Sequence, residues 1–143
     1  MKTPILAAIL GITMAPAALA ADVTTYDFEG SFDDATFAVE NAIIGQGLVI
    51  DYTSHVGDML NRTAEDVGSD VEIFDAADIF LFCSATVSRE VMEADPSNIG
   101  HCPYGIFVTD KNGDVEIGYR NMPDGEMQKV QTLLDGIVKD ALD

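Results

Sequence analysis

Several kinds of site are excluded by what this sequence lacks. It has two cysteines and no Cys-x-x-Cys-His motif, which excludes covalent attachment of a c-type haem. Only seven of the 143 residues are lysine or arginine. Nucleic acids and anionic membranes are bound through clustered positive charge, so both are excluded as partners. No apolar stretch after the first twenty residues approaches the length of a membrane span.

The first twenty residues are predicted to be a signal peptide that is cleaved after Ala20. Lys2 precedes an apolar run, ILAAILGITMA, and the segment ends in small residues, Ala18-Leu19-Ala20. The run is short, and Pro16 breaks it before it could span a bilayer. A retained N-terminal anchor is the alternative. The sequence therefore predicts export to the periplasm of a Gram-negative bacterium.

The mature chain, residues 21–143, has the length of one compact domain. It carries six basic against twenty-five acidic residues, a net charge of −19. This charge permits a protein partner with a basic surface, such as a basic cytochrome. The alternative is an acidic, well-solvated surface suited to a saline medium, and the scattered positions of the acids favour that alternative.

Hydrophobic periodicity indicates the elements of the first half of the chain. Residues 23–30 have the composition of a strand, and Ser31 with Asp34 three residues later resembles a capping box that starts a helix. Alternation over residues 48–56 then predicts a strand with Ile50 and Tyr52 on one face. His55 falls on the more polar face at its end, before a short helix over residues 57–68.

The second half ends in a hairpin and a helix. Residues 71–84 are predicted to form two strands interrupted at 75–77, followed by a helix that ends at Ala94. Asn112-Gly113 between two alternating strands predicts a tight hairpin over residues 104–120. A final helix follows Pro123, with an apolar stripe of Met127, Val130, Leu134, Ile137, Val138 and Ala141.

This order of elements predicts a single small α+β domain. Its sheet is mostly antiparallel, with the helices packed on one face. The domain is predicted to span residues 21–122, with residues 123–143 forming an amphipathic helix packed on it.

The segment FLFCSATVSREVMEADPSNIGHCPYGIFVTDKNGDVEIGY resembles the bacterial domain of unknown function 302 family. Cys83 stands at the position of a cysteine that ends a strand in the family. Asp95-Pro96 matches the end of the family's helix, and Pro103 matches the proline that opens its next strand. The resemblance covers roughly residues 23–122.

The resemblance implies a sheet like those of TATA-binding-protein-like and Bet v 1-like folds, often in a dimer. It implies no established activity, although some exported relatives look associated with sulfur-compound oxidation. The chain departs from the family where Ser84-Ala85 replaces Asn-Pro, and where Cys102 replaces an aliphatic residue. The role of the second cysteine therefore cannot be taken from the family.

Two cysteines in an exported domain favour a disulfide, because the periplasm is oxidising. A Cys83–Cys102 bond would close a loop of about 20 residues and stabilise the fold by roughly 3 kcal/mol. The bond requires that the flanking strands run antiparallel. If they ran parallel, a strand of roughly 20 Å would separate the two cysteines, beyond the limit of about 7 Å between bonded Cα atoms.

Two other roles remain open for these residues. In the first, Cys83 and Cys102 form a thiol redox or sulfur-relay site, although their spacing is not the Cys-x-x-Cys of thioredoxin-like proteins. In the second, Cys102 binds haem or a transition metal together with His55 or His101. Zinc would need both cysteines and both histidines to complete four ligands.

The hypothesis favoured by the sequence is an exported, non-enzymatic binding or accessory protein with no cofactor. It would be a homodimer or a module that binds a partner protein, and its fold would be stabilised by the Cys83–Cys102 disulfide. A pocket is predicted between the sheet and the final helix, with Tyr52, Tyr104 and Tyr119 as candidate pocket residues.

Overall fold

The computed structural model describes residues 22–143, and the predicted signal peptide and its cleavage site lie outside this range. The described chain forms five strands and four α-helices. In chain order they are β1 Val23–Asp27, α1 Phe32–Gly45, β2 Val49–Ser54, α2 Val56–Thr63, β3 Ala76–Cys83, α3 Ala85–Ala94, β4 Tyr104–Lys111, β5 Asp114–Arg120 and α4 Gln128–Leu142. Short 3₁₀ turns cover Glu65–Val67 and Pro96–His101.

The five strands form one sheet in the order β1-β5-β4-β3-β2, and every neighbouring pair is antiparallel. The central pairs, β3–β4 and β4–β5, are the longest. The α+β class and the antiparallel sheet predicted from the sequence are confirmed. None of the described helices is long and apolar enough to cross a membrane.

Helix α1 begins at the predicted capping box. The Ser31 side chain accepts a hydrogen bond from the Asp34 backbone N–H at 3.1 Å, and the Asp34 carboxylate accepts one from the Ser31 N–H at 3.2 Å. These bonds satisfy N–H groups that have no partner within the helix. Ala35, Val39 and Ile43 follow at four-residue spacing and are fully buried, so this face of α1 lies against the sheet.

The core lies between α1, α4 and one face of the sheet. The sheet contributes alternate residues of its three central strands, which lie on the same face because side chains alternate along a strand. These are Phe80, Phe82, Tyr104, Ile106, Val108, Val115, Ile117 and Tyr119, all of them buried. The six residues of the predicted apolar stripe are buried as well. Five of them lie in α4, and Met127 directly precedes it, because the helix starts at Gln128, five residues after Pro123.

The prediction of two strands over residues 71–84 was wrong. A single strand, β3, starts at Ala76, and residues 70–74 lack regular structure. The pairing with β4 explains where the strand starts. The Asp75 N–H donates to the Asp110 carbonyl at 2.9 Å, and Asp110 is followed within two residues by the hairpin turn. The residues before Asp75 would extend beyond the end of β4 and therefore have no β4 residues to pair with.

A bulge in β2 changes the predicted orientation of Tyr52. Ile50 pairs with Phe82, but the register shifts and Tyr52 pairs with Leu81. Each residue shares a sheet face with its cross-strand partner, so the inserted residue turns Tyr52 to the face opposite Ile50. The sequence prediction had placed both side chains on one face.

The predicted hairpin between β4 and β5 is confirmed. Asn112 and Gly113 have φ angles of 58° and 88°, which is the conformation of a two-residue type I′ turn. The Gly113 N–H donates to the Asp110 carboxylate at 2.9 Å.

The second face of the sheet is only partly covered. Helix α2 packs at the start of β3, where Gly57 lies against the backbone of Ala77. Further along the sheet, Ile79, Leu81 and Phe107 remain partly exposed. We call the surface formed by Ile79, Leu81, Gly105, Phe107 and Gly118 the open face; its members pair across β3, β4 and β5.

Gly118 is required by the close packing of the open face. A Cβ atom there would collide with the Phe107 ring and lie 2.7 Å from the Thr24 carbonyl oxygen. We predict that Gly118→Ala lowers the free energy of unfolding by about 1–3 kcal/mol, as overpacking does. Urea denaturation measures the change.

Gly136→Ala is the matched control, because a Cβ at Gly136 in α4 would meet nothing within 4 Å. It should raise the unfolding free energy by about 0.5–1 kcal/mol, since alanine favours the helix. Equal effects of the two substitutions would contradict the assigned packing of Phe107 on Gly118.

Candidate functional site

The two cysteines are joined. Cys83 ends β3 and Cys102 lies two residues before β4, and because these strands are antiparallel both stand at the same edge of the sheet. The structure contains the Cys83–Cys102 disulfide, with the Cα atoms 6.6 Å apart. The antiparallel pairing on which this prediction depended is confirmed.

Local hydrogen bonds hold the segment that the disulfide closes. Ser84 caps α3 by accepting from the Val87 N–H at 3.3 Å, and Asp95 caps the following 3₁₀ turn by accepting from the Ser97 N–H at 2.9 Å. The Asn98 amide donates to the Val91 carbonyl at 2.9 Å and so ties the turn back to α3. The 3₁₀ turn itself was not predicted from the sequence.

His55 lies at the start of α2, far along the chain from the disulfide. Its Nδ1 is 2.8 Å from the Asp78 carboxylate, and the side chains of His55 and Asp78 are 61% and 16% exposed. The carboxylate fixes the orientation of the imidazole ring. His55 lines a wide cleft between β2 and α2, together with Tyr52 and Arg62.

His101 ends the 3₁₀ turn, next to Cys102, and is partly exposed. It lines a second cavity, on the open face, that does not include His55. The two predicted histidine ligands are therefore not brought together, and the Cys102 sulfur is bonded to Cys83.

The residues present do not fit a metal or haem site of the predicted composition. A disulfide sulfur is not a thiolate, and the thiolate is the form in which cysteine ligates a metal. Within residues 22–143, no three or more histidine, cysteine, aspartate or glutamate side chains are grouped so that they could hold a metal ion.

The three candidate tyrosines lie in different environments. Tyr104 and Tyr119 are 1% and 2% exposed and belong to the core, whereas Tyr52 is 64% exposed. The Tyr104 hydroxyl lies 3.0 Å from the Ser88 hydroxyl of α3. These three side chains do not line one common pocket.

Tyr119 belongs to a polar network that attaches α4 to the sheet. Its hydroxyl and that of Tyr26 donate to one oxygen of Asp135, at 2.9 Å and 2.6 Å. Lys139 donates to the other oxygen at 2.6 Å. The hydrogen bond from Lys139, followed by the one from Tyr26, lowers the pKa of Asp135, and burial with the bond to Asp135 raises the pKa of Tyr119. The network positions α4 against the sheet.

The open face carries a cavity of about 240 Å³ that the sequence analysis missed. Of the three tyrosines predicted to line a pocket, Tyr104 lines this cavity. The cavity's other apolar lining residues are Val23, Ile79, Leu81, Pro103, Gly105, Phe107 and Met122. Arg120 and His101 are its cationic or potentially cationic lining residues. One signal was available in the sequence: residues 79–82 read Ile-Phe-Leu-Phe, so β3 is apolar on both of its faces.

We predict that the Cys83→Ala/Cys102→Ala double variant loses about 3 kcal/mol of unfolding free energy, because the unfolded chain regains the freedom of the loop. Urea denaturation without reductant measures this loss. Wild-type protein in reductant should fall to the same stability. Two alkylated thiols in the native protein, detected by intact mass, would contradict the account.

The sequence profile of one family, described as "Domain of unknown function DUF302", matches residues 24–140. The match runs past residue 122 and includes almost all of α4, which the sequence analysis had set apart. No curated protein matches the chain. A solved structure described as "Crystal structure of uncharacterized conserved protein DUF302 from Bacillus stearothermophilus" has 16% sequence identity and a TM-score of 0.62. The similarity covers 87% of this chain and 98% of the other.

The structural similarity agrees with the antiparallel α+β fold. Because the profile spans most of the sequence, from β1 into the last turn of α4, the chain belongs to the DUF302 family.

Proposed function

We propose that this protein is an exported, non-enzymatic binding protein whose binding surface is the open face of the sheet. The observation that carries the proposal is the apolar character of that face at the centre of the sheet. Ile79, Leu81 and Phe107 lie there partly exposed and line a cavity.

A solvated sheet face ordinarily carries polar side chains. Antiparallel sheets that face water on one side alternate between apolar residues toward the core and polar residues outward. Here Ile79 and Leu81 alternate with Phe80 and Phe82, so β3 is apolar on both sides. Exposed apolar clusters of this kind mark surfaces that bind a ligand or a partner.

The disulfide supports this surface without taking part in chemistry. Cys83 ends β3, two residues after Leu81 of the open face, and Cys102 lies three residues before Gly105 in β4. Closing the loop between them restricts the unfolded chain and so favours the folded sheet. Export is supported by the signal-peptide pattern. The disulfide supports it too, because structural disulfides persist in oxidising compartments.

The homodimer and the basic protein partner remain predictions. The net charge of −19 on residues 21–143 opposes the approach of two copies and favours a basic partner. A homodimer would therefore have to overcome this repulsion at its interface.

A thiol redox role is the second candidate, and one observation favours it. His101 and Pro103, the two chain neighbours of Cys102, both line the open-face cavity, and Cys102 carries one sulfur of the disulfide. The two roles differ in what the Cys83→Ala/Cys102→Ala variant should do. If the protein only binds a ligand, the folded variant still binds at the open face. If the protein is a thiol redox protein, the variant loses its thiol–disulfide exchange activity.

The proposed binding surface is tested with 8-anilinonaphthalene-1-sulfonate, whose fluorescence rises on apolar surfaces. We predict saturable binding to the native protein. Leu81→Asp places a charge at the centre of the open face and should reduce the fluorescence enhancement severalfold. The dye binds because its apolar rings are buried against this surface, and a buried charge at position 81 removes that gain.

Val67→Asp is the matched control. Val67 is 76% exposed in the 3₁₀ turn after α2 and does not belong to the open face, so the same change of charge there should leave dye binding intact. If both variants bind the dye as the wild type does, the open face is not the binding surface.

A further inference from the structure

The floor of the open-face cavity is flat and apolar because of two glycines. At Gly105, the Ile79 and Leu81 side chains lie 3.3 Å from the point where a Cβ would stand, so they pack down onto β4. At Gly118, the Phe107 ring lies directly over the backbone. Side chains that lie flat on neighbouring glycines leave a shallow hollow above them.

Positive charge stands at the wall of this hollow. Arg120 ends β5, beside Val23 of the edge strand, and His101 and Arg120 both line the cavity. Within residues 22–143, neither side chain has an ion pair or hydrogen bond. By contrast, the cations Arg89, Lys129 and Lys139 are all paired with carboxylates.

An unpaired guanidinium beside an apolar floor is complementary to an anion that carries an apolar body. Arginine binds carboxylates through two parallel N–H groups. The overall charge of the chain repels anions, so a specific anion requires a local cation of this kind. The same overall charge disfavours a second copy of this chain as the occupant of the face.

The size of the cavity limits the ligand. Its volume of about 240 Å³ is below the roughly 300–1,000 Å³ of pockets for drug-sized ligands. We propose that the cavity binds a small carboxylate with an aliphatic or aromatic body. The carboxylate pairs with Arg120, and the body lies on Ile79 and Leu81. This inference rests on the open face being the binding surface, as proposed above.

Octanoate is the probe, followed by ¹H–¹⁵N NMR titration of the full mature protein. It should shift the amides of Leu81 and Gly105 and saturate with a dissociation constant on the order of 0.1–1 mM, as expected for a ligand of this size. Arg120→Ala should weaken binding about tenfold or more, the effect of losing one charged hydrogen bond.

Arg62→Ala is the matched control, because Arg62 also has no ion pair within residues 22–143 but lines the other cleft. It removes the same charge and should leave octanoate binding within about twofold, since distant sites are independent. Thermal unfolding of both variants checks that they remain folded. Octyltrimethylammonium, which has the same chain and the opposite charge, should not bind.

Four results would overturn the inference, and they have different meanings for the proposed function. If octyltrimethylammonium binds as octanoate does, or Arg120→Ala has no effect, the carboxylate assignment fails while the open face remains a binding surface. If octanoate does not bind and Leu81→Asp retains full dye binding, both proposals fail. A dimer in sedimentation equilibrium that Leu81→Asp dissociates would show that a second copy occupies the face.

Discussion

The antiparallel pairing of β3 with β4 is the constraint on which the other features depend. It places Phe80 beside Ile106 on the core side of the sheet, and Leu81 beside Gly105 on the open face. It also brings the end of β3 to the same edge as the start of β4, which makes the Cys83–Cys102 bond possible. A parallel arrangement would separate the cysteines and change the neighbours of every open-face residue.

The two faces of this pairing have different consequences. On the core side, burial under α1 and α4 supplies most of the hydrophobic stabilisation. On the open face, similar side chains remain partly in contact with water, a cost that the fold tolerates. Stability alone does not require apolar side chains at Ile79 and Leu81 on a face that contacts water, and the proposed binding role accounts for them.

Local patterns carried much of the fold prediction. The capping box at Ser31, the Asn112-Gly113 turn and the stripe of α4 depend on neighbours within one element, and each was found where predicted. The bulge that reorients Tyr52 depends on the register with β3, which no short window of sequence contains. The strand wrongly predicted before β3 has the same cause, because the start of β3 is set by the end of its partner β4.

The site was less predictable than the fold. The disulfide followed from the number of cysteines and the compartment expected for the chain, but the separation of His55 from His101 depends on tertiary structure. Arg120 is an ordinary strand residue in the sequence, and only the sheet places it beside the cavity. The central claim, an open face exposed in solution, is tested most directly by paramagnetic relaxation of methyl groups with a neutral, soluble gadolinium chelate. We expect strong enhancement for Ile79 and Leu81 and weak enhancement for Ile106 and Ile117; equal protection of all four would contradict an exposed open face.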